Sequence, residues 1–287
     1  MRPLSGLLVA DLSRYLPGPY ASRELLRLGA RVVKIEPPER DPVATIAPGQ
    51  YALLNDGKEL VVWDARAERA PDALLAADVV LEGFRPGVWE RLAVELSERA
   101  IVCSITGFGA AGPRALHAGH DLNYLGYAGA LADTAPALPP VPAADLAAGA
   151  QAAVIEVLAA LLERERTGRG ARIVVSMTDG SHRLVSHRLG GEPVPRLLTG
   201  GAACYRIYET ADGRHLTVAA LEPKFWARLC ELLERPDLVS RQFEPDIPEL
   251  VEIFRRRTLR DWLDLLEGED TCVGPVLTLE EAAAELA

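Results

Sequence analysis

Five histidines serve a chain of 287 residues. One of them, His120, stands between a glycine and an aspartate in GHDLNY (residues 119–124), where no helical or strand period asks for it. An imidazole takes and gives protons near neutrality, which suits it to acid–base work on something that enters a cleft. A loop histidine between Gly and Asp is, taken alone, more often a local hydrogen-bonding device at a turn. Asp145, in PAADLAAGA, poses the same choice. It is either the N-cap of the helical pattern that follows, or a carboxylate near free backbone amides, at a site able to raise its pKa. His117 and His120 lie three apart in a loop rich in Gly and Pro, with no third ligand, so no metal site is expected. Cys103, Cys204, Cys230 and Cys272 form no CxxC pair, which argues against zinc or a disulfide framework and fits a reducing compartment. SRYLPGPY stands where a GxGxxG dinucleotide fingerprint would follow the first strand. There is no P-loop and no GxSxG elbow.

The elements that must carry these residues are read from short apolar, β-branched runs: LLVADL (7–12), RVVKIE (31–36), ELVVWD (59–64), DVVLEG (78–83), IVCSIT (101–106) and ARIVVSM (171–177). Runs that are apolar almost throughout suit strands buried on both faces of a parallel sheet. PYASRELLRLGA reads as a helix closed by Gly29, and PGVWERLAVEL as another with Pro86 in its first turn. Such alternation predicts an open, mostly parallel, Rossmann-like α/β sheet with ligands at the carboxyl ends of its strands. DTAPALPPVPAA (133–144) is an extended loop. AAGAQAAVIEVLAALLERERTGRG is the longest helical pattern, and its small residues predict close packing inside the protein. The large domain is expected over 1–180, a linker over 181–203, and a small α+β domain over 204–287. The last contains a hairpin around Ala-Asp-Gly and the helices PKFWARLCELLE, IPELVEIFRRR and LRDWLDLLEG.

With 49% apolar and 25% charged residues the chain can bury a core, and its net charge of −10 would repel a phosphate backbone, so no nucleic-acid partner is expected. A small anion remains compatible where Arg and Lys gather. LSGLLVA is too short for a secretory core, and no apolar run approaches the roughly 20 residues that span a bilayer. A cytoplasmic protein with no membrane partner is expected.

The segments VADLSRYLPGPYASRELLRLGARVVKIEPP, LLNDGK, DVVLEGFRPGVWERL, CSITGFGAAGP, GHDLNYLGYAGAL, ERERTGRGARIVVSMTDG, YRIYETADGRHLTVAALEPKFW and CVGPVLTLEEA, in that order, resemble the class III CoA-transferase family. Within it they are most similar to the racemases of 2-methylacyl-CoA thioesters. The resemblance implies catalytic roles for His120, Asp145 and Glu222. Racemisation beside a thioester needs a base on one face of C2 and an acid on the other, and His120 with Asp145 would supply them. An Asp at a helix start also brings free amides that could hold the enolate oxygen. Glu222 could equally cap the helix that begins at Pro223. By the same resemblance Asn55, Lys58, Gly83, Arg85 and Arg91 would line the CoA groove. Gly119, Asp121, Asn123 and Tyr124 would border the pantetheine and thioester. Arg91 reads equally as part of a solvated helix face. No cofactor is implied beyond the CoA of the substrate, and an intertwined homodimer is expected. Where the racemases carry a basic residue after the second strand this chain has Pro37 and Pro38, and its connection after SMTDG is shorter than theirs. It also ends just after TLEEA, where the relatives continue. One alternative is a CoA-transferase of the same family, with Asp145 as nucleophile. The other is a CoA-thioester-binding protein without turnover.

Overall fold

The computed structural model describes residues 2–286. The chain forms two compact units, Met1–His187 and Arg188–Ala287.

The first unit is built on six parallel strands: β1 (Leu8–Asp11), β2 (Arg31–Glu36), β3 (Glu59–Val62), β4 (Val79–Glu82), β5 (Ile101–Thr106) and β6 (Arg172–Ser176). They lie in the order β3-β2-β1-β4-β5-β6, with Val9 in register with Val32 on one side and with Val79 on the other. β1, β2, β4 and β5 are buried along nearly their whole length, and their unbroken apolar runs have this cause. One face packs Leu25, Leu81, Ile101 and Val157, and the other packs Trp63, Leu74, Val80 and Trp89. Because β1 neighbours both β2 and β4, the connections leave it in opposite directions. A crevice therefore opens beyond the carboxyl ends of β1 and β4, where ligands of such sheets bind.

The helix Pro17–Arg27 follows β1 as expected. The helix predicted over PGVWERLAVEL is shorter, Val88–Leu92, because Ala93 takes a left-handed φ of 49° and ends it. The long helix begins as a π-helical stretch, Ala144–Gln151, and continues as an α-helix, Ala152–Thr167, closed at Gly168 with φ 74°. Ala144, Ala148, Gly149, Ala150 and Ala153 are buried, as their size predicted. Gly180 permits the close approach of the next helix, Met177–Val185, since a Cβ there would lie 2.8 Å from the Cβ of Ala148. This long helix corrects the expectation that no run is apolar enough for a bilayer. Over 24 residues its best window reaches a mean hydropathy of 1.7. Gln151 and Glu156 break the uninterrupted count yet fit within such a window. Its inner face belongs to the core, while Ile155 and Leu162 on the outer face are 65% and 76% exposed.

The expected linker starts too early. Met177–Val185 is a regular helix of the first unit, capped by Ser176 Oγ, which accepts from the Asp179 amide at 3.2 Å. The Gly- and Pro-rich character begins only near Gly190. In the second unit the hairpin pairs β7 (Tyr205–Glu209) with β8 (His215–Ala219). A third strand, β9 (Val273–Pro275), joins β8 antiparallel and was not expected. Trp226, Leu229, Leu250, Phe254 and Trp262 fill that unit's own core.

Candidate active site

The turn after β1 is tied down by a buried charge cluster. Asp11 ends β1 with no exposure, and its carboxylate accepts from Ser22 Oγ at 2.5 Å and from Ser13 Oγ and the Ser13 amide. Lys34 lies 3.7 Å and Lys58 3.4 Å from the same carboxylate. Burial pushes the Asp11 carboxyl up, but the two ammoniums and the serine hydrogen bonds outweigh it and hold the group at about 2. Lys34 Nζ also donates to the Ser13 carbonyl. The backbone carrying Ser13, Arg14 and Tyr15 is thereby fixed at the mouth of the crevice. Tyr15 takes a left-handed φ of 68°, with its amide bonded to Asp41 Oδ2 at 3.0 Å. That conformation costs a non-glycine residue about 1 kcal/mol. Its ring stands edge-on to His120, with centroids 6.2 Å apart.

His120 itself is the N-cap of a short helix, Asp121–Tyr127, in extended conformation. Its amide donates to Asn123 Oδ1 at 3.1 Å, so Asn123 holds the histidine's backbone. Tyr124 is buried beneath, and its hydroxyl donates to the Gly119 carbonyl. Gly119 lies so near that ring that a Cβ would stand 2.6 Å from it. Burial, then the charges of Asp145 and Asp121, push the Tyr124 phenol up to about 12, so it stays a donor at neutral pH.

Asp145 sits in the first turn of the π-helical stretch rather than at its cap, which is Ala143. The Asp145 amide donates to Asp121 Oδ1 at 2.9 Å. Burial raises the Asp145 carboxyl first, the Asp121 charge adds to it and His120 opposes, leaving the group at about 6. π-Helical turns place side chains out of the ordinary α-helical phase and are frequent at functional sites.

These residues meet in one cavity of about 360 Å³. His120, Asp145, Gly83, Arg85, Gly119 and Tyr124 all line it, as do Arg14, Tyr15, Phe108 and Met177, which sequence reasoning did not single out. A second cavity of about 390 Å³ beyond β1, β2 and β3 shares Arg14 and Phe84 with the first. Pro37 and Pro38 are among its walls, with Trp63 and Arg66. The structure places other expected residues elsewhere. The Lys58 side chain is fully covered, spent on Asp11, the Pro19 carbonyl and Asn55 Oδ1, while Asn55 Nδ2 donates to the Tyr51 carbonyl. Neither residue lines these cavities. Arg91 lies on the exposed face of Val88–Leu92. Asp121 and Asn123 act on the backbone of Asp145 and His120 rather than lining the cavity wall. Glu222 belongs to the second unit, exposed at the N-cap of the helix Pro223–Leu232 with no side-chain capping bond.

A doubly wound α/β unit whose crevice holds a histidine and a carboxylate of raised pKa has the features of an enzyme site. Comparison with known proteins gives the family: the profile of CoA-transferase family III matches residues 4–286, and the chain belongs to it. Human alpha-methylacyl-CoA racemase is 34% identical, the match covering 97% of this chain and 78% of that protein. Acetyl-CoA:oxalate CoA-transferase of Acetobacter aceti is 31% identical, over 98% and 82%. Among solved structures, a Mycobacterium tuberculosis protein superposes with a TM-score of 0.82 at 29% identity, covering 99% of this chain and 85% of that one. A CAIB/BAIF family protein from Brucella suis gives 0.81 at 27%, over 98% and 86%.

Proposed function

We propose that the protein interconverts the C2 epimers of 2-methylacyl-CoA thioesters, with His120 and Asp145 as the two proton carriers. The observation that carries this reading is their presence on one cavity with the Asp145 carboxyl at about 6. A carboxyl titrating there holds both forms near neutrality, as a group that must act as base in one direction and acid in the other requires. The base facing the C2–H takes the proton, and the C–H electron pair moves into the thioester carbonyl to give an enolate. The partner, in its protonated form, then delivers a proton to the opposite face of C2, so one proton leaves and one arrives. The amides expected to hold the enolate oxygen are engaged within the fold, that of Asp145 by Asp121 Oδ1 and that of Leu146 by the Pro142 carbonyl, each at 2.9 Å. The two cavities joined at Arg14 and Phe84 suit a long ligand, its thioester at Asp145 and its nucleotide end beyond β2, with Arg85 beside the phosphates. Racemases among the curated relatives support the choice.

The transferase reading is supported by CoA-transferases at comparable identity. There Asp145 would attack the thioester carbonyl and carry the acyl group as an anhydride while CoA leaves. Epimer-resolved exchange in D₂O separates the two. Under racemisation, His120→Ala abolishes interconversion, with a kcat loss of at least about 10²-fold. It keeps slow wash-in for only the epimer whose C2–H faces Asp145, and Asp145→Asn shows the opposite preference. Equal exchange of both epimers in His120→Ala would overturn the assignment. Under transfer, His120→Ala is tolerated and Asp145→Asn removes all acyl transfer. We further propose a homodimer, which light scattering showing a stable monomer at micromolar concentration would refute.

A further inference from the structure

A third cavity, of about 430 Å³, lies against the reaction cavity, with Phe108 a wall of both. The Phe108 ring stands edge-on to Tyr124 at 5.2 Å and to Tyr127 at 5.4 Å between centroids. The loop after β5 contributes Arg114 to this cavity, and the helix Met177–Val185 contributes Asp179, His182 and Arg183. The Arg114 guanidinium stacks 4.5 Å from the centroid of the Tyr127 ring, an arrangement that holds the plane while leaving its N–H edge open to an acceptor. His182 Nδ1 lies 3.1 Å from the Ala128 carbonyl, which orients its ring. Neither guanidinium has an ion-pair partner among the described residues, and Asp179 is the one carboxylate in the lining. In a chain of net charge −10 this cavity carries a local excess of positive charge. The opposite end of the reaction cavity, toward Arg14 and Arg85, is the end that the nucleotide phosphates of a thioester occupy in the proposed function. A ligand that extends past Phe108 from the thioester does so with its acyl portion, or is a molecule exchanging with it.

We propose that this cavity is a carboxylate subsite, in which Arg114 and Arg183 bind the carboxylate of the molecule whose reacting carbon lies at Asp145. The inference rests on the function proposed above. A guanidinium's fork of donors matches a carboxylate in a way that no neutral chain end does. The carboxylate has two sources: the far end of the substrate's own acyl chain, or a free acid that accepts CoA.

The experiment compares 2-methylacyl-CoA thioesters ending in a carboxylate with methyl-terminated thioesters of equal chain length, by kcat/KM for C2 deuterium exchange. Calorimetry of free glutarate binding to the same full chain runs beside it. Both arms are repeated on the R114Q/R183Q double variant, whose substituted side chains are both exposed. A carboxylate preference of about tenfold or more that collapses toward one in the variant supports the subsite, with the acyl chain as source. No such preference, but glutarate binding that the variant weakens by about tenfold or more, supports it with a free acid as source. Absence of both, or either one surviving undiminished in the variant, overturns it. If no thioester exchanges its C2 proton, the proposed function fails, and the glutarate titration alone decides the subsite.

Discussion

Replacing Asp145 by Asn should make the protein more stable above neutrality while it stops the interconversion of epimers. The carboxyl titrates at about 6 in the folded chain against an ordinary 3.8, because it is part-buried next to Asp121. A shift of about 2 units, at about 1.4 kcal/mol each, is worth about 3 kcal/mol as an upper bound. The folded state binds the extra proton between those two values. The group's contribution to stability is therefore fully present below about pH 4 and is lost as the pH rises through about 6. An asparagine of nearly the same shape never bears that charge. The variant should match the wild type near pH 4 and exceed it by about 1–3 kcal/mol at pH 8. Urea unfolding of both proteins at several pH values reads the difference directly, other titrating groups cancelling. A difference that stays flat between about pH 4 and pH 8, or a variant less stable at pH 8, would refute the account of Asp145 as a carboxylate held at energetic cost.

Arg85→Ala should weaken CoA binding by about 1–3 kcal/mol, since the proposed function puts this cavity-lining guanidinium beside the phosphates, and unchanged affinity in calorimetry removes it from the groove. Asp11→Asn leaves the ammoniums of Lys34 and Lys58 buried without their counter-charge, and should cost about 3–5 kcal/mol in urea unfolding. A loss below about 1 kcal/mol would mean that the cluster does not hold the turn after β1. Asp121→Asn keeps an oxygen for the Asp145 amide but removes the charge that raises its neighbour. The acidic limb of the exchange pH profile should move to lower pH, and a limb that stays in place or moves up contradicts the coupling.

The central strands were legible because a strand covered on both faces leaves an unbroken apolar run, and β1, β2, β4 and β5 do so. β9 is only three residues, Val-Gly-Pro, and shows no alternation to read. His120 and Asp145 were found through the order of motifs, and the cavity they share depends on contacts that local spacing does not encode. Lys58 shows why: the resemblance put it on the CoA groove, yet its partner Asp11 lies 47 residues away in the chain and the pair is covered from solvent. The π-helical start of the long helix was also invisible. Its departure from the α-helical hydrogen-bond pattern leaves no signature in the run of small residues.

GHDLNY is both a turn and part of the cavity wall, and the two roles depend on each other. His120 is an N-cap in extended conformation, its amide held by Asn123, and from there it lines the cavity. The residue that starts the helix, Asp121, then reaches 24 positions along the chain to hold the amide of Asp145. A carboxylate accepting that hydrogen bond orients the first turn of the π-helical stretch, and its charge also raises the pKa of the carboxyl it positions. An apolar residue at 121 would leave the Asp145 amide without this acceptor, and a cation there would lower the neighbouring pKa. An acid at 121 both positions Asp145 and keeps it protonatable near neutrality, on the same cavity wall as His120.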